Sequence, residues 1–277
     1  MAERLGFLTD ITLCIGCKAC EVACKQWNGL ASEGFELTGA SYDNTLALGP
    51  TSWRHVLFVE QSAAGSNASS GTAAAPTTLD SATAAGLRFD PTAWLLMSDV
   101  CKHCQRAGCM DACPTGAITR TEFDQVLVQP DICNGCGYCV PACPFGVIEI
   151  DRTIGIAQKC TLCYDRLKDG MEPACAKSCP TDSIQFGVVD DLRVRAERRV
   201  ATLRASGYAS ARFYGGDDVA GGLNASFILT RDPETFNLPR APRIPVDNVI
   251  PGSIATIVAA IGVGIALAAT FLGRRGA

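Results

Sequence analysis

Sixteen cysteines stand in this chain of 277 residues, and they fall into four groups of four. The first is Cys14, Cys17, Cys20 and Cys24, spaced C-x2-C-x2-C-x3-C. The second is Cys101, Cys104, Cys109 and Cys113, spaced C-x2-C-x4-C-x3-C and followed by Pro114. Cys133, Cys136, Cys139 and Cys143 repeat the first spacing and precede Pro144. The last group, Cys160, Cys163, Cys175 and Cys179, has an insertion of 11 residues between its two pairs and precedes Pro180. Beside them the chain has only 2 His, His55 and His103, which leaves almost no room for His-based metal or nucleophile chemistry.

Such a count has three common explanations: a disulfide framework, structural zinc or iron-sulfur clusters. Disulfide frameworks belong to short secreted chains, and residues 1–10 carry one Arg and no apolar run of a secretory leader. A structural zinc site draws two C-x2-C pairs from separate knuckles, so that four thiolates reach tetrahedral positions around one small ion. The first and third groups instead crowd four cysteines into one short loop, and zinc stays conceivable only for the fourth group taken alone. A cubane is a larger object with irons at separate corners. A C-x2-C-x2-C loop wraps three of them, while the fourth Cys, usually before Pro, points away to the other cluster of a pair. Proline ends the loop because the next element then needs no backbone donor there. Cys24, followed by Lys25, lacks it. The spacing therefore predicts four 4Fe-4S clusters.

Repetition organises the rest. After each Cys-Pro comes a short β-branched or apolar stretch: Ala117-Ile118, residues 146–150 (GVIEI) and residues 183–186 (SIQF). These read as short strands flanking ferredoxin-like loops, with a short helix after each first Cys triplet. Residues 25–100 carry no cysteine. Within them 53–60 (WRHVLFVE) and 94–97 are expected strands, joined at 62–86 by an Ala/Ser/Thr/Gly-rich segment that reads as a flexible surface loop. Residues 190–206 are expected to form an amphipathic helix, with Leu192, Ala196, Val200 and Leu203 on one face, Asp190 or Asp191 as N-cap and Gly207 as stop. Its arginines, Arg193, Arg195, Arg198, Arg199 and Arg204, read as a solvated face or a docking face for a partner. Pro233, Pro239, Pro242, Pro245 and Pro251 then mark an extended linker. Residues 249–273 run without a charge, long enough for one transmembrane helix rich in small residues such as Gly262, Gly264 and Ala266. That segment has no His to ligate a haem. Arg274 and Arg275 after it and Arg240 and Arg243 before it leave the positive-inside rule without a clear bias.

A net charge of -4 with no Lys/Arg block gives no electrostatic footprint for nucleic acid. Two His cannot complete a Ser/His/Asp set, and Gly215-Gly216 and Gly221-Gly222 lack a strand-loop-helix phosphate signature. The chain reads as an electron wire that makes and breaks no substrate bonds. Fold class is expected to be α+β: two paired bacterial-ferredoxin-like 4Fe-4S domains in pseudo-repeat, plus one C-terminal transmembrane helix. The domain division is 1–60 with 156–190, an insert at 61–93, a second two-cluster unit at 94–155, a helix and linker at 191–248, and an anchor at 249–273.

The four motifs in this order, with CIGCKAC (14–20), KQWN (25–28), CGYC (136–139), KCTLCYDR (159–166), EPAC (172–175) and ASGY (205–208), resemble the iron-sulfur (beta) subunit of membrane-bound respiratory formate dehydrogenase. The likeness covers nearly the whole chain except the Ala/Ser-rich loop. The cluster motifs alone also fit subunits of the dimethyl sulfoxide reductase and nitrate reductase types and partners of nickel-iron hydrogenases. A non-redox metal scaffold is the alternative of a different class. The resemblance implies crossed ligand sets. Cys14, Cys17 and Cys20 with Cys179 would hold the cluster nearest a catalytic subunit, and Cys24 with Cys160, Cys163 and Cys175 its neighbour. Cys101, Cys104 and Cys109 with Cys143 would hold the third, and Cys133, Cys136 and Cys139 with Cys113 the one nearest the membrane. It further implies a formate-oxidising molybdenum or tungsten bis-pterin alpha subunit and a membrane cytochrome b gamma subunit as partners. The cluster domain would then lie on the outer face of the membrane, exported on the partner's twin-Arg signal. Lys18, Trp27, His103 and Tyr138 are candidates to tune cluster potentials, with packing the plainer role for Trp27 and Tyr138.

Overall fold

The computed structural model describes residues 3–32, 34, 42–43, 45–62, 67–68 and 91–273. Mixed strands and short helices surround the cysteine loops, as the α+β expectation has it. β1 (Leu5–Asp10) lies at the centre of a four-stranded sheet, antiparallel to β9 (Ile184–Val188) and parallel to β11 (Ala225–Leu229), with β10 (Arg212–Tyr214) beyond it. The period of two sorts these strands by face. Phe7 and Ala225 pack toward the cysteine core, whereas Leu8 and Ile228 face a long helix, α6 (Val189–Ala205).

That helix buries Leu192, Ala196, Val200 and Leu203 as expected, each large aliphatic removed from water contributing about 1.5–3 kcal/mol. Its start differs from the expectation. Val188 holds the N-cap position with no side-chain cap bond, and Asp190 and Asp191 lie in the first turn, where their charge opposes the helix's positive end. Asp190 is taken up by Arg4, leaving it no role at the cap. The helix ends at Ser206, and Gly207 follows at φ 97. The arginine face is not merely solvated: Arg199 donates to Asp10 Oδ2 at 2.8 Å, and Arg193 to Asp217 Oδ1 at 2.7 Å.

A second sheet is the hairpin of β2 (Arg54–Ser62) and β4 (Pro91–Val100), with β3 (Asn67–Ala68) paired to the end of β2. Both long strands exceed the expected lengths, because their outer ends pair with each other and with β3. Most of the expected loop at 62–86 lies outside the described residues. Val56 and Phe58 turn toward the cysteine core, while Leu57 and Val59 join Met97, Phe227 and Leu229 in a separate apolar cluster.

Two small hairpins follow the second and third cysteine groups: β5 (Ile118–Arg120) with β6 (Val126–Val128), and β7 (Glu149–Asp151) with β8 (Ile156–Gln158). Around them lie α1 (Ala19–Trp27), α2 (Gly108–Asp111), α3 (Cys139–Ala142), α4 (Tyr164–Lys168) and α5 (Ala174–Lys177). Each carries or adjoins a cysteine.

The proline-marked segment is not an extended linker. Pro233–Phe236 and Pro245–Asn248 are 3-10 turns, and Phe236, Leu238 and Ile244 are buried, so apolar burial ties the segment to the domain. After it, α7 (Val249–Gly273) is long and apolar enough to cross a membrane, about 37 Å at the usual rise per residue. Its side chains from 252 to 267 are all exposed.

Candidate metal centre

Each C-x2-C pair turns in the same way. The residue before the second Cys is left-handed in all four: Gly16 (φ 69), His103 (φ 46), Gly135 (φ 69) and Leu162 (φ 55). That turn aims a backbone amide at the first thiol; Leu162 N–H donates to Cys160 Sγ at 3.3 Å. Glycine adopts the conformation freely at positions 16 and 135, where the loops reach the surface. His103 and Leu162 bear about 1–2 kcal/mol each for it, and both are buried where surrounding packing holds them.

Turn and topology together bring cysteines of different groups side by side. One cavity is lined by Cys14, Cys17, Cys20 and Cys179, the last delivered by the segment before β9. A second is lined by Cys101, Cys104, Cys109 and Cys143. Cys24, Cys160, Cys163 and Cys175 are all buried; Cys24 lies near Cys175, Cys163 and Cys20, and Cys160 near Cys24, Cys101, Cys175 and Cys163. Cys139 faces Cys133, Cys136 and Cys113 in the same manner. Both cavities thus combine cysteines from two groups. The exchange between the first and last groups comes from α1 packing against α5, and that between the middle groups from α2 packing against α3.

Burial pushes the Cys20 and Cys163 thiols up to about 11 and Cys24 and Cys109 up to about 12. Cations sit close by. Lys102 pairs with Asp99 and lies over the Phe145 and Phe227 rings, while Lys159 donates to the carbonyls of Val126 and Cys160. His103 accepts from Val126 N–H through Nδ1 at 3.1 Å, and burial beside Lys159 and Arg120 holds it well below its ordinary pKa. Arg54, 2% exposed, brings a full positive charge into the core.

Of the candidate tuning residues, Lys18 lies beside the first cavity, 3.6 Å from Glu21 Oε2. Trp27 donates to Asp165 Oδ2 at 2.8 Å and stacks under Arg166, bridging α1 to α4. Tyr138 is 63% exposed. Arg54 and Lys102 escaped the sequence reading: Lys102 had a signal in its place inside a C-x2-C pair, whereas Arg54 had none beyond a lone charge heading an apolar strand.

The donors in each set are sulfur only. Four thiols lining one cavity, as in the first and third sets, are the donor set a 4Fe-4S cluster takes.

Family models for the 4Fe-4S dicluster domain match residues 13–117 and 92–189. The protein is 36% identical over 265 residues to the formate dehydrogenase iron-sulfur subunit of Haemophilus influenzae, covering 94% of this chain and 77% of that protein. The chain belongs to the formate dehydrogenase iron-sulfur subunit family. Within it, the Escherichia coli nitrate-inducible formate dehydrogenase iron-sulfur subunit is 37% identical over 241 residues, 86% of this chain and 73% of that one. Outside it, the B subunit of the anaerobic dimethyl sulfoxide reductase of E. coli is 32% identical over 198 residues, 70% of this chain and 78% of that one. This iron-sulfur subunit is an electron-transfer protein and not a catalytic one.

Proposed function

We propose that the chain holds four 4Fe-4S clusters in a row and passes electrons from a formate-oxidising molybdenum or tungsten bis-pterin subunit to a membrane cytochrome b subunit. Cys14, Cys17, Cys20 and Cys179 ligate the first; Cys24, Cys160, Cys163 and Cys175 the second. Cys101, Cys104, Cys109 and Cys143 ligate the third; Cys113, Cys133, Cys136 and Cys139 the fourth. The observation that carries this reading is the exchange of cysteines between groups: Cys179 lines the cavity of Cys14, Cys17 and Cys20, and Cys143 that of Cys101, Cys104 and Cys109. A cluster held in each set supplies one-electron chemistry. The protein's part is to fix the thiols, keep water from the buried sets and supply nearby cations.

The pairing of β1 with β9 supports a first unit built from 1–60 with 156–190, and the two small hairpins support a second at 94–155. We assign α7 as a single membrane anchor in contact with lipid and with the cytochrome subunit, the cluster domain lying on the outer face. Protease added to intact spheroplasts then cleaves between 62 and 86; cleavage only after lysis would reverse the orientation.

Anaerobic purification from mild-detergent membranes tests the whole reading. The expected product has about sixteen iron atoms per chain, a large co-purifying subunit and formate-driven dye reduction. A colourless, zinc-loaded chain would refute the wire. The similarity to the dimethyl sulfoxide reductase subunit favours a second reading, the same wire serving another molybdopterin oxidoreductase. A hydrogenase partner is the remaining variant. A large partner inert to formate, or turnover driven by hydrogen, would select among these.

A further inference from the structure

Arg54 opens β2 opposite Val100, the residue before Cys101, and its side chain runs inward among Phe7, Cys20, Cys160 and Cys175. The guanidinium lies 4.8 Å over the Phe7 ring. Nη1 donates to Ser98 Oγ at 3.0 Å, and that oxygen lies 3.2 Å from Cys20 Sγ. Nε and Nη2 are buried and have no partner among the described residues. Nor does any described carboxylate form an ion pair with Arg54, unlike Lys102, which has Asp99. A buried guanidinium with two idle donors and no carboxylate is strongly unfavourable unless other negative charge faces it. What faces it instead is sulfur of both neighbouring sets, Cys20 across Ser98 and Cys24, Cys160 and Cys175 nearby, where clusters held by those cysteines would carry the negative charge.

We infer that Arg54 is the counter-charge shared by the first two clusters, holding both at higher reduction potential from its place beside the Ser98 bridge to Cys20 and close to the Cys24 set. This rests on the ligand sets proposed above. One electron entering either cluster raises its negative charge by one unit, and a fixed cation in a low-dielectric core favours that state. Arginine suits the position because its planar fork presents donors in two directions and never loses its proton, whereas lysine offers a single point charge. Lys102 and Lys159 differ, since Asp99 and two backbone carbonyls already engage them. Arg54 therefore acts on the wire by positioning charge, without taking part in any bond change.

The test is a potentiometric titration, followed by electron paramagnetic resonance, of the intact complex extracted anaerobically from membranes. In Arg54→Gln the reduced-to-oxidised ratio at fixed potential falls at least tenfold for two of the cluster signals, equivalent to about 59 mV for one electron, and stays put for the other two. Arg54→Lys keeps the charge and loses the fork, and lowers the same two signals about threefold. Unchanged potentials with full iron content overturn the inference, as does an equal shift of all signals. Should Arg54→Gln lose iron, Arg54→Lys decides alone: no fall confined to two signals overturns it. Cys14→Ser and Cys24→Ser identify which signals belong to the first two clusters, and shifts elsewhere overturn the assignment to Arg54. If Cys24→Ser and Cys160→Ser perturb different signals, the ligand sets themselves fail, whatever Arg54 does.

Discussion

Gly135 and Gly155 form a matched pair for testing how tightly the Cys133–Cys136 loop is held. Both have φ 69, so alanine at either meets the same left-handed strain, about 1–2 kcal/mol. They differ in surroundings. A Cβ on Gly135 would stand 2.2 Å from the carbonyl oxygen of Gly155, whereas a Cβ on Gly155 meets nothing within 4 Å. Backbone would have to retreat by about 1 Å to restore contact distance, which adds about 1–3 kcal/mol of overpacking. Gly155→Ala should therefore cost about 1–2 kcal/mol and Gly135→Ala about 2–5 kcal/mol, with the excess confined to one loop. The assay is the loss of visible cluster absorbance at raised temperature under anaerobic conditions, with iron counted per chain. Gly135→Ala is expected to lose roughly a quarter of its iron well before the remainder, and Gly155→Ala to behave nearly as wild type. Equal behaviour of the two variants would refute the close approach of this loop to the β7–β8 turn.

Leu192→Ala empties a fully buried site between α6 and the face of the sheet turned away from the cysteines; it should cost about 2–5 kcal/mol in resistance to heat or urea while cluster potentials stay unchanged. Tyr214 donates to the Pro239 carbonyl at 2.6 Å, and burial, with Cys104 and Asp99 nearby, raises its phenol above the ordinary value of 10.0. Its contribution is thus fully present below that pH and is lost as pH rises through the folded-state value. Tyr214→Phe should lose about 1–2 kcal/mol at neutral pH and show a flatter alkaline limb in a denaturation series, a steeper limb being the contrary result. Val263→Arg places a charge near the middle of α7 at about 2.5–3.5 kcal/mol and should abolish alkali-resistant membrane association; retention in the membrane would argue against the anchor.

Spacing alone pointed to iron-sulfur chemistry, because the repeated C-x2-C-x2-C loops have the pattern that wraps a 4Fe-4S cubane. Period also sufficed for the inward face of α6 and for β2, where burial is one-sided and leaves its mark on every second or every third to fourth residue. The ends of these elements were less legible. Asp190 looks like an N-cap by residue type, yet the helix starts at Val189 because β9 runs straight into it and Arg4 claims the carboxylate. The prolines at 233 and 245 suggest an extended linker, but Phe236, Leu238 and Ile244 find burial that only the folded domain provides.

The sequence by itself determined that sixteen cysteines stand in four groups and that residues 249–273 form one charge-free stretch long enough to span a bilayer. Tertiary structure brings Cys179, distant in sequence, into the cavity of Cys14, through the packing of α5 on α1 and the pairing of β9 with β1. It also decided that Arg54 is interior. A single charge at the head of an apolar strand carries no local mark of where its side chain ends, for that depends on elements distant in sequence closing around it.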